Sequence, residues 1–275
     1  MAKRVLATLL TDFGLRDAYV AAMKGVLLSR CRRAQLVDIS HEVPPQNVLA
    51  AALILAEAAR YFPPGTLHIV VVDPGVGTAR RILAARYGAQ RFLFPDNGVI
   101  TRVDATMPLE EIVVVRNTKY LPADQPSQTF HGRDLFAPVA AHLLNGLAIR
   151  QLGPRPETYK LLEIPAPRAG AGRIDGEIIF VDGFGNLISN IPAELVQEQF
   201  DDVERVEVTC GGRPVGCVRG AYGFVEPGAP VALFNSMRLL EVAVNQGRAD
   251  QALRCSPGAA VCVRASDGRK EPPRS

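Results

Sequence analysis

The hydrophobic pattern of this 275-residue chain changes near residue 165. Before that point, β-branched runs alternate with longer segments whose apolar residues recur at helical spacing. LHIVVVD (67–73) is almost continuously apolar, which is typical of a strand buried on both faces. Further strands are predicted at 4–10, 35–40, 82–88, 91–98 and 111–117, and helices at 17–30, 47–61 and 134–146. This alternation predicts an α/β sandwich-type domain over residues 1–165.

After residue 165 the apolar segments become short. APRAGAGR (166–173) is rich in Pro, Gly and Ala, which predicts a linker. Beyond it, Gly, Pro, Asn and Asp separate the short runs EIIFVD, LISNI, VERVEVTC, PVGCVRG, VALFN, LLEVAV and AVCVRA. This spacing predicts a smaller antiparallel β domain, sheet or barrel, over 172–265. The polar residues 266–275 are expected to be a disordered tail.

Composition argues against several function classes. The net charge is only +3 and no dense basic tract occurs, so nucleic acid is not an expected partner. The longest apolar run, 48–56, is far shorter than the roughly 20 residues that cross a bilayer, so no membrane partner is expected. The five cysteines are odd in number and lack CxxC spacing, and no secretory signal precedes them. Reduced thiols in a cytoplasmic protein, without a metal, are the expectation.

A glycine-rich turn, DPGVGTARR (73–81), follows the most apolar strand. It lacks the GxxxxGK[ST] and GxGxxG patterns of phosphate and dinucleotide loops, so neither site is predicted. The turn places Asp73 and Arg80 at the carboxyl end of a strand, where open α/β sheets bind ligands. The alternative is that Asp73 caps local amides while the arginines lie in solvent.

Two further segments place polar side chains beside turns. His131 lies in FHGRD, just before a helix that Asp134 is expected to cap, and that position favours a neutral imidazole able to act as a base. Asp12 follows the first strand, where a carboxylate suits the two hydroxyls of a ribose. The alternative for Asp12, or for Asp17, is to cap the following helix.

The segment DGFGN (182–186) combines an aromatic residue with Asp and Asn between two glycines. A β-hairpin alone accounts for the glycines. Phe184 exposed between Asp182 and Asn186 would instead suit stacking on a nucleobase, with polar contacts to its edge.

Six ordered motifs resemble the S-adenosyl-L-methionine hydroxide adenosyltransferase family, which is related to halogenating adenosyltransferases. The motifs are TDFG (11–14), DPGVGTxRR (73–81), PDNG (95–98), FHGRDLFAP (130–138), DGFGN (182–186) and NSMRLLEVAVN (235–245). The resemblance runs from about residue 4 to 265. It implies an N-terminal α/β domain, a C-terminal β-barrel domain and a homotrimer. Each ligand would lie between the N-terminal domain of one subunit and the C-terminal domain of its neighbour.

The resemblance also implies residue roles. Asp73, Arg80 and His131 match the catalytic set of the hydrolytic members. The implied substrate-binding residues are Asp12 on the ribose, Asp182 and Asn186 on the amino-acid portion, Phe184 and Tyr222 against adenine, and Phe130, Asn235 and Ser236 elsewhere in the pocket. The halogenating relatives carry hydroxyl residues where this chain has Gly132, Asp73 and Val76. A halide needs hydrogen-bond donors, so halogenation is disfavoured.

The implied reaction is attack of water or hydroxide on ribose C5′, which releases L-methionine and adenosine without a cofactor. In this hypothesis His131 is the base, Asp73 orients His131 or the water, and Arg80 favours developing hydroxide. Three alternatives are a non-catalytic binding module for adenosine or S-adenosylmethionine, a halide-using adenosyltransferase, and a metal-dependent hydrolase using Asp12, Asp73 and Asp96.

Overall fold

The computed structural model describes residues 4–122 and 126–265. The chain divides into two compact units, the first ending at Leu162 and the second beginning at Glu163. The predicted disordered tail, 266–275, lies outside the described residues.

The first unit is built on a six-stranded mixed sheet. Its strands are β1 (Val5–Thr11), β2 (Ala34–Ser40), β3 (Leu67–Val71), β4 (Ile82–Tyr87), β5 (Gln90–Pro95) and β6 (Leu109–Val114), and its helices are α1 (Tyr19–Arg30), α2 (Val48–Ala59), α3 (Thr101–Asp104) and α4 (Ala137–Leu144). The strand order is β2-β1-β3-β5-β4-β6, in which neighbouring strands from β2 to β5 pair in parallel and β4 alone runs the other way, pairing antiparallel with both β5 and β6. The predicted α/β class is therefore confirmed.

Alternating side chains explain how this sheet is covered. Ala7, Leu9 and Ile69 are buried in one cluster with Met23 of α1 and Val139 of α4. The helix α2 packs against β1, β2 and α3. All five residues of β3 are buried, as its continuous apolar run predicts. Helices pack against this sheet while the carboxyl ends of its parallel strands lead into loops.

A π-helical segment, Gly132–Phe136, precedes α4. Within it, Asp134 accepts a hydrogen bond from the backbone N–H of Ser127 at 2.9 Å and contacts Arg133. The prediction that Asp134 caps the helix is therefore wrong, because the helical turns begin before it. The predicted end at Gly146 is confirmed, since this glycine lies just beyond α4 at φ +101°.

The second unit is an antiparallel sheet that nearly closes into a barrel. Its strands are β7 (Arg168–Gly170), β8 (Arg173–Val181), β9 (Leu187–Pro192), β10 (Val206–Cys210), β11 (Arg213–Cys217), β12 (Pro230–Phe234), β13 (Leu239–Val244) and β14 (Ala260–Ala265), with helices α5 (Ala193–Gln199) and α6 (Ala249–Leu253). The order is β11-β10-β14-β8-β9-β13-β12, and a bridge between Val218 and Ala232 joins the two ends of that path. The predicted barrel class is confirmed.

One part of the predicted linker is a strand. Residues 168–170 form β7, which pairs with β8 in a tight hairpin. Gly172, at φ +71°, provides the left-handed turn between the two strands. The glycines that suggested a flexible linker therefore make a hairpin.

No helix among the described residues is long and apolar enough to cross a membrane.

Candidate active site

Two acidic residues follow neighbouring parallel strands. Asp12 comes directly after β1, and Asp73 comes two residues after the end of β3. The two strands pair in parallel, with Thr11 opposite Val71, so both carboxylates lie at the same edge of the sheet. This is the edge at which α/β sheets bind ligands.

The glycine-rich turn after Asp73 is shaped by a close backbone contact. Gly77 adopts φ +78°, and a Cβ placed on it would lie 2.5 Å from the carbonyl oxygen of Gln128. Any side chain there would clash with the segment that leads to His131. Gly77 therefore lets the loops around residues 77 and 128 approach each other.

Arg80 links Asp73 to His131. Its Nε donates to Asp73 Oδ2 at 2.7 Å, and its Nη2 lies 2.7 Å from His131 Nδ1. The Asp73 and Arg80 side chains are only 4% and 8% exposed, and His131 is buried. The structure thus brings together the three residues predicted to be catalytic, with Arg80 in the middle. The alternative in which Arg80 lies in solvent is wrong.

The contact with Arg80 fixes the tautomer of His131. A guanidinium only donates hydrogen bonds, so Nδ1 of His131 must accept, and in the neutral ring Nε2 carries the proton. Burial, followed by the positive charge of Arg80, lowers the pKa of His131 below its ordinary value of 6.5, although Asp73 and Asp134 oppose the shift. His131 is therefore a neutral hydrogen-bond donor at Nε2. The expected base role does not fit this geometry.

Asp73 has an unused acceptor. Its Oδ1 is buried and has no hydrogen-bond partner among the residues that the structure describes. The neighbouring pair, Arg81 and Asp96, is different, because Asp96 also accepts from the backbone N–H of Lys160 at 2.8 Å. An unpaired buried carboxylate oxygen is costly unless a ligand or water donates to it.

The carboxylates proposed for a metal site are engaged separately. Asp73 pairs with Arg80, Asp96 pairs with Arg81, and Asp12 accepts from the backbone N–H of Gln46 at 2.8 Å. Within 4–122 and 126–265, no three His, Cys, Asp or Glu side chains are grouped as metal ligands would be.

Asp12 does not cap a helix. The helix α1 begins at Tyr19 after Ala18, without a side-chain cap, so the capping alternative is wrong for both Asp12 and Asp17. Phe130 packs edge-on against Phe13 and Tyr19, at 5.9 and 5.0 Å between ring centroids. The predicted residue Phe130 therefore belongs to an aromatic cluster beside the Asp12 turn.

The DGFGN segment of the second unit is a turn organised by Asp182. Its Oδ1 accepts from the backbone N–H groups of Phe184 and Asn186, both at 2.9 Å, and its Oδ2 accepts from the Asn186 side chain at 3.0 Å. These bonds occupy both carboxylate oxygens within the turn. Asp182 therefore shapes the loop on which Phe184 stands.

Phe184 and Tyr222 border two clefts that share part of their lining. The side chain of Phe184 is 78% exposed, which is unusual for a large apolar residue. One cleft of about 510 Å³ is lined by Phe184, Tyr222 and Arg248, and the other, of about 440 Å³, by Phe184, Tyr222, Asn235 and Ser236. An exposed ring above an apolar cleft suits the face of a nucleobase.

Sequence reasoning missed Glu241, which also lines the smaller cleft. This buried residue accepts from the Tyr222 hydroxyl at 2.8 Å, and burial raises the pKa of its carboxyl despite hydrogen bonds from Tyr222 and Asn235. Tyr222 is thus held by its hydroxyl rather than free to move. A lone Glu within the apolar run LLEVAV was the available signal. Asn235 Oδ1 also accepts from the backbone N–H of Met237, which fixes the loop carrying Ser236.

Comparison with known proteins places these features in a family. The N-terminal domain of the SAM hydroxide adenosyltransferases matches residues 7–153, and their C-terminal domain matches residues 176–262. The chain is 42% identical to the (R)-S-adenosyl-L-methionine hydrolase of Thermus thermophilus, over 92% of this chain and 96% of that one. A fluorinase from an Actinoplanes species is 30% identical over 66% of this chain and 70% of its own length.

A solved structure agrees with the fold. The crystal structure of an uncharacterized conserved protein from Thermotoga maritima superposes with a TM-score of 0.87 at 38% identity, and the match covers 94% of this chain and all of that one. Both domain matches, each with its own unit in the structure, lead to the same assignment. The chain belongs to the SAM hydroxide adenosyltransferase family.

Proposed function

We propose that this chain hydrolyses S-adenosyl-L-methionine to adenosine and L-methionine. The observation that carries the proposal is the buried Arg80 between Asp73 and His131, with one oxygen of Asp73 left without a partner in the described part of the chain. The name of the Thermus relative supports the same reaction and specifies the (R) form. Because L already defines the α-carbon, (R) describes the sulfonium sulfur. We extend that configuration to the substrate of this chain.

The reaction is a displacement at ribose C5′. The oxygen of water forms a bond to C5′ while the C5′–S bond breaks, and the bonding electron pair goes to sulfur. Methionine leaves as a neutral thioether, so the leaving group needs no proton. One proton of the water must leave, and the other remains on the 5′-hydroxyl of adenosine. Catalysis therefore depends on holding and deprotonating the nucleophile.

The geometry divides these tasks differently from the sequence hypothesis. Asp73 Oδ1 accepts the proton, because it is the unpaired basic atom of the group. His131 donates from Nε2 to the water oxygen and so directs its other lone pair toward carbon. Arg80 holds both residues and stabilises negative charge that develops on the nucleophile.

Substrate binding is assigned to residues in both units. Asp12 accepts from the ribose hydroxyls, and Phe184 stacks on adenine with Tyr222 beside it. Asn186, Asn235 and Ser236 contact the polar edge of the base or the amino-acid portion, whereas Asp182 acts mainly through the turn that it holds. Phe130 closes the apolar side of the site near the reacting carbon.

Halogenation remains the less favoured alternative. A Cβ at Gly132 would lie 3.0 Å from Met23 Sδ and 3.3 Å from carbons of Phe13 and Phe130. Apolar atoms therefore fill the space in which a hydroxyl would serve a halide, and the carboxylate of Asp73 would repel an anion. A non-catalytic binding module would not require the unpaired buried oxygen of Asp73.

We also propose a homotrimer in which the first unit of one subunit and the second unit of its neighbour share each site. The Asp73–Arg80–His131 group belongs to the first unit and the exposed Phe184 belongs to the second. This distribution supports the proposed assembly. Coexpressed His131→Ala and Phe184→Asp chains should regain activity that neither variant has alone. Recovered activity no greater than the sum of the two variants, or a monomer in sedimentation, would refute shared sites.

The cytoplasm is the proposed location, supported by the odd number of cysteines and their lack of CxxC spacing, which are typical of reduced thiols. No cofactor is proposed. Undiminished turnover after treatment with a chelator is the expected result, and a loss that added metal restores would favour the metal-dependent alternative.

One time course tests the proposed function. The purified chain is incubated with (R)- or (S)-S-adenosyl-L-methionine, and adenosine and methionine are separated by chromatography. Equal amounts of both products should accumulate from the (R) form. Tight binding without products would favour the binding module, and a 5′-halogenated nucleoside in the presence of halide would favour the halogenating alternative.

A further inference from the structure

A buried threonine and histidine lie directly beneath Asp12. The Thr11 Oγ1 atom lies 2.8 Å from His41 Nδ1, and both side chains are buried. The same oxygen accepts from the backbone N–H of Phe13 at 3.3 Å. Thr11 Oγ1 thus connects the inside of the Asp12 turn to the imidazole of His41.

The far side of His41 faces a charged pair. Its Nε2 lies 3.0 Å from Asp38 Oδ1, a close contact but not one aligned as a hydrogen bond, and Asp38 Oδ2 accepts from Lys24 Nζ at 2.6 Å. Burial opposes ionisation of Asp38, but the hydrogen bond from Lys24 and the nearby imidazole of His41 together outweigh it and lower the pKa of the carboxyl. An ionised Asp38 favours the proton of His41 on Nε2. Nδ1 then has a free lone pair and accepts a hydrogen bond from the hydroxyl of Thr11.

The backbone around His41 holds the same turn from outside. The carbonyl oxygen of His41 accepts from the backbone N–H of Gly14 at 2.7 Å, and the N–H of Gln46 donates to Asp12 Oδ2 at 2.8 Å. The turn 11–14 is therefore attached to the segment 41–46 at its beginning, at its end and through the Asp12 carboxylate. Nothing in the sequence pattern pointed to His41.

We propose that His41 is a positioning residue for Asp12, acting through the hydroxyl of Thr11. By accepting this hydrogen bond from the Thr11 hydroxyl, His41 orients the Thr11 oxygen toward the Phe13 amide and fixes the turn in the shape that presents Asp12 to a ribose. The ribose-binding part of this inference rests on the proposed function. The stabilisation of the turn by His41 does not depend on the proposed function.

A second pair on the same strand supplies a matched control. The Thr8 Oγ1 atom also lies 2.8 Å from a histidine nitrogen, Nδ1 of His68, and both side chains are completely buried. His68 stacks on Phe92 with 4.9 Å between the ring centroids, inside the sheet rather than at its edge. The two pairs share their chemistry and burial but differ in their connection to the Asp12 turn.

The test compares Thr11→Val with Thr8→Val in the full-length chain. Each change keeps the β-branched shape and removes one buried hydroxyl, so both variants should lose similar thermal stability. Only Thr11→Val should speed amide hydrogen exchange at Phe13 and Gly14, by about fivefold, and weaken adenosine binding in calorimetry by about five- to tenfold. Its KM should rise more than its kcat falls.

A conservative change at His41 gives a second readout. His41→Asn places an amide oxygen near the former Nδ1 and should restore much of the adenosine affinity that His41→Leu loses. Unchanged exchange at Phe13 and Gly14 in Thr11→Val would overturn the positioning role, as would equal effects of the two valine variants. Faster exchange with unaltered adenosine affinity would overturn the link to ribose binding. A wild-type chain that forms no adenosine would contradict only the proposed function, because the exchange comparison remains decisive for the turn.

Discussion

Replacing Asp73 with asparagine should nearly abolish turnover without disturbing the fold. The side chain is 4% exposed, and its two oxygens have different surroundings. Oδ2 accepts from Arg80, whereas Oδ1 is unpaired among the described residues. The amide of Asp73→Asn has the same shape and can keep its carbonyl oxygen toward Arg80. Its NH₂ group then occupies the position of Oδ1, where a proton acceptor is replaced by a donor.

The size of the effect follows from the lost proton transfer. General base catalysis contributes about 10²–10⁴ in rate, which corresponds to about 3–5 kcal/mol of activation free energy. Stopped time courses of adenosine formation should show kcat reduced by that factor. Adenosine affinity should change less than about twofold, because the ribose and base are assigned to other residues.

The matched control is Asp96→Asn. Asp96 is equally buried and pairs with the adjacent arginine, Arg81, but its second oxygen is already bonded to a backbone amide. This variant should lose about as much stability as Asp73→Asn, because each change weakens one buried ion pair, but it should keep its kcat. A kcat of Asp73→Asn within about tenfold of wild type, or an equal loss in both variants, would refute Asp73 as the proton acceptor.

Substitutions at four positions test the remaining assignments. His131→Ala should lower kcat about 10²–10³-fold while adenosine still binds. His131→Gln restores an N–H near the position of Nε2 and should recover most of the lost rate. An equal loss of kcat in both variants would favour His131 as the base. Arg80→Gln should raise the pKa of His131, because a positive charge that lowers it is removed. Titration of the imidazole proton resonances should show that higher pKa, and an unchanged pKa would contradict the contact between the two side chains. Phe184→Ala should weaken adenosine binding by about 5- to 100-fold without lowering Tm, since the ring is largely exposed, and an unchanged Kd would contradict stacking. Gly132→Ser should destabilise the chain by about 1–3 kcal/mol, because the new side chain contacts Met23. The variant should form no 5′-chloro-nucleoside in the presence of chloride. Detection of that product would contradict the conclusion that apolar atoms fill this space.

The strands could be predicted because their hydrophobic patterns are local. Continuous burial of β3 in the first unit and alternating burial of β10 in the second follow from which faces each strand covers. The short helices α3, α5 and α6 were not predicted, since four to seven residues carry too little periodicity. The sequence predicts a linker where the structure has the β7–β8 hairpin, because glycine is common in both linkers and tight turns.

The sequence predicted which residues form the site better than it predicted how they are arranged. Motifs indicated Asp73, Arg80 and His131, but no spacing reveals which of three side chains lies between the other two. His41 and Glu241 were missed because their partners, Thr11 and Tyr222, are distant in sequence. Their importance appears only when buried polar atoms are matched with hydrogen-bond partners.

The sequence by itself determined the α/β and β classes of the two halves, the turns that end the strands and the residue types available for chemistry. These properties depend on periodicity and on backbone preferences within a few residues. Only the tertiary structure decided that Arg80 donates to the acceptor nitrogen of His131, that one oxygen of Asp73 has no partner among the described residues, and that both oxygens of Asp182 accept hydrogen bonds within its own turn. Hydrogen bonds are directional and extend about 3 Å, so the role of a polar side chain is set by the few atoms that folding brings within that distance.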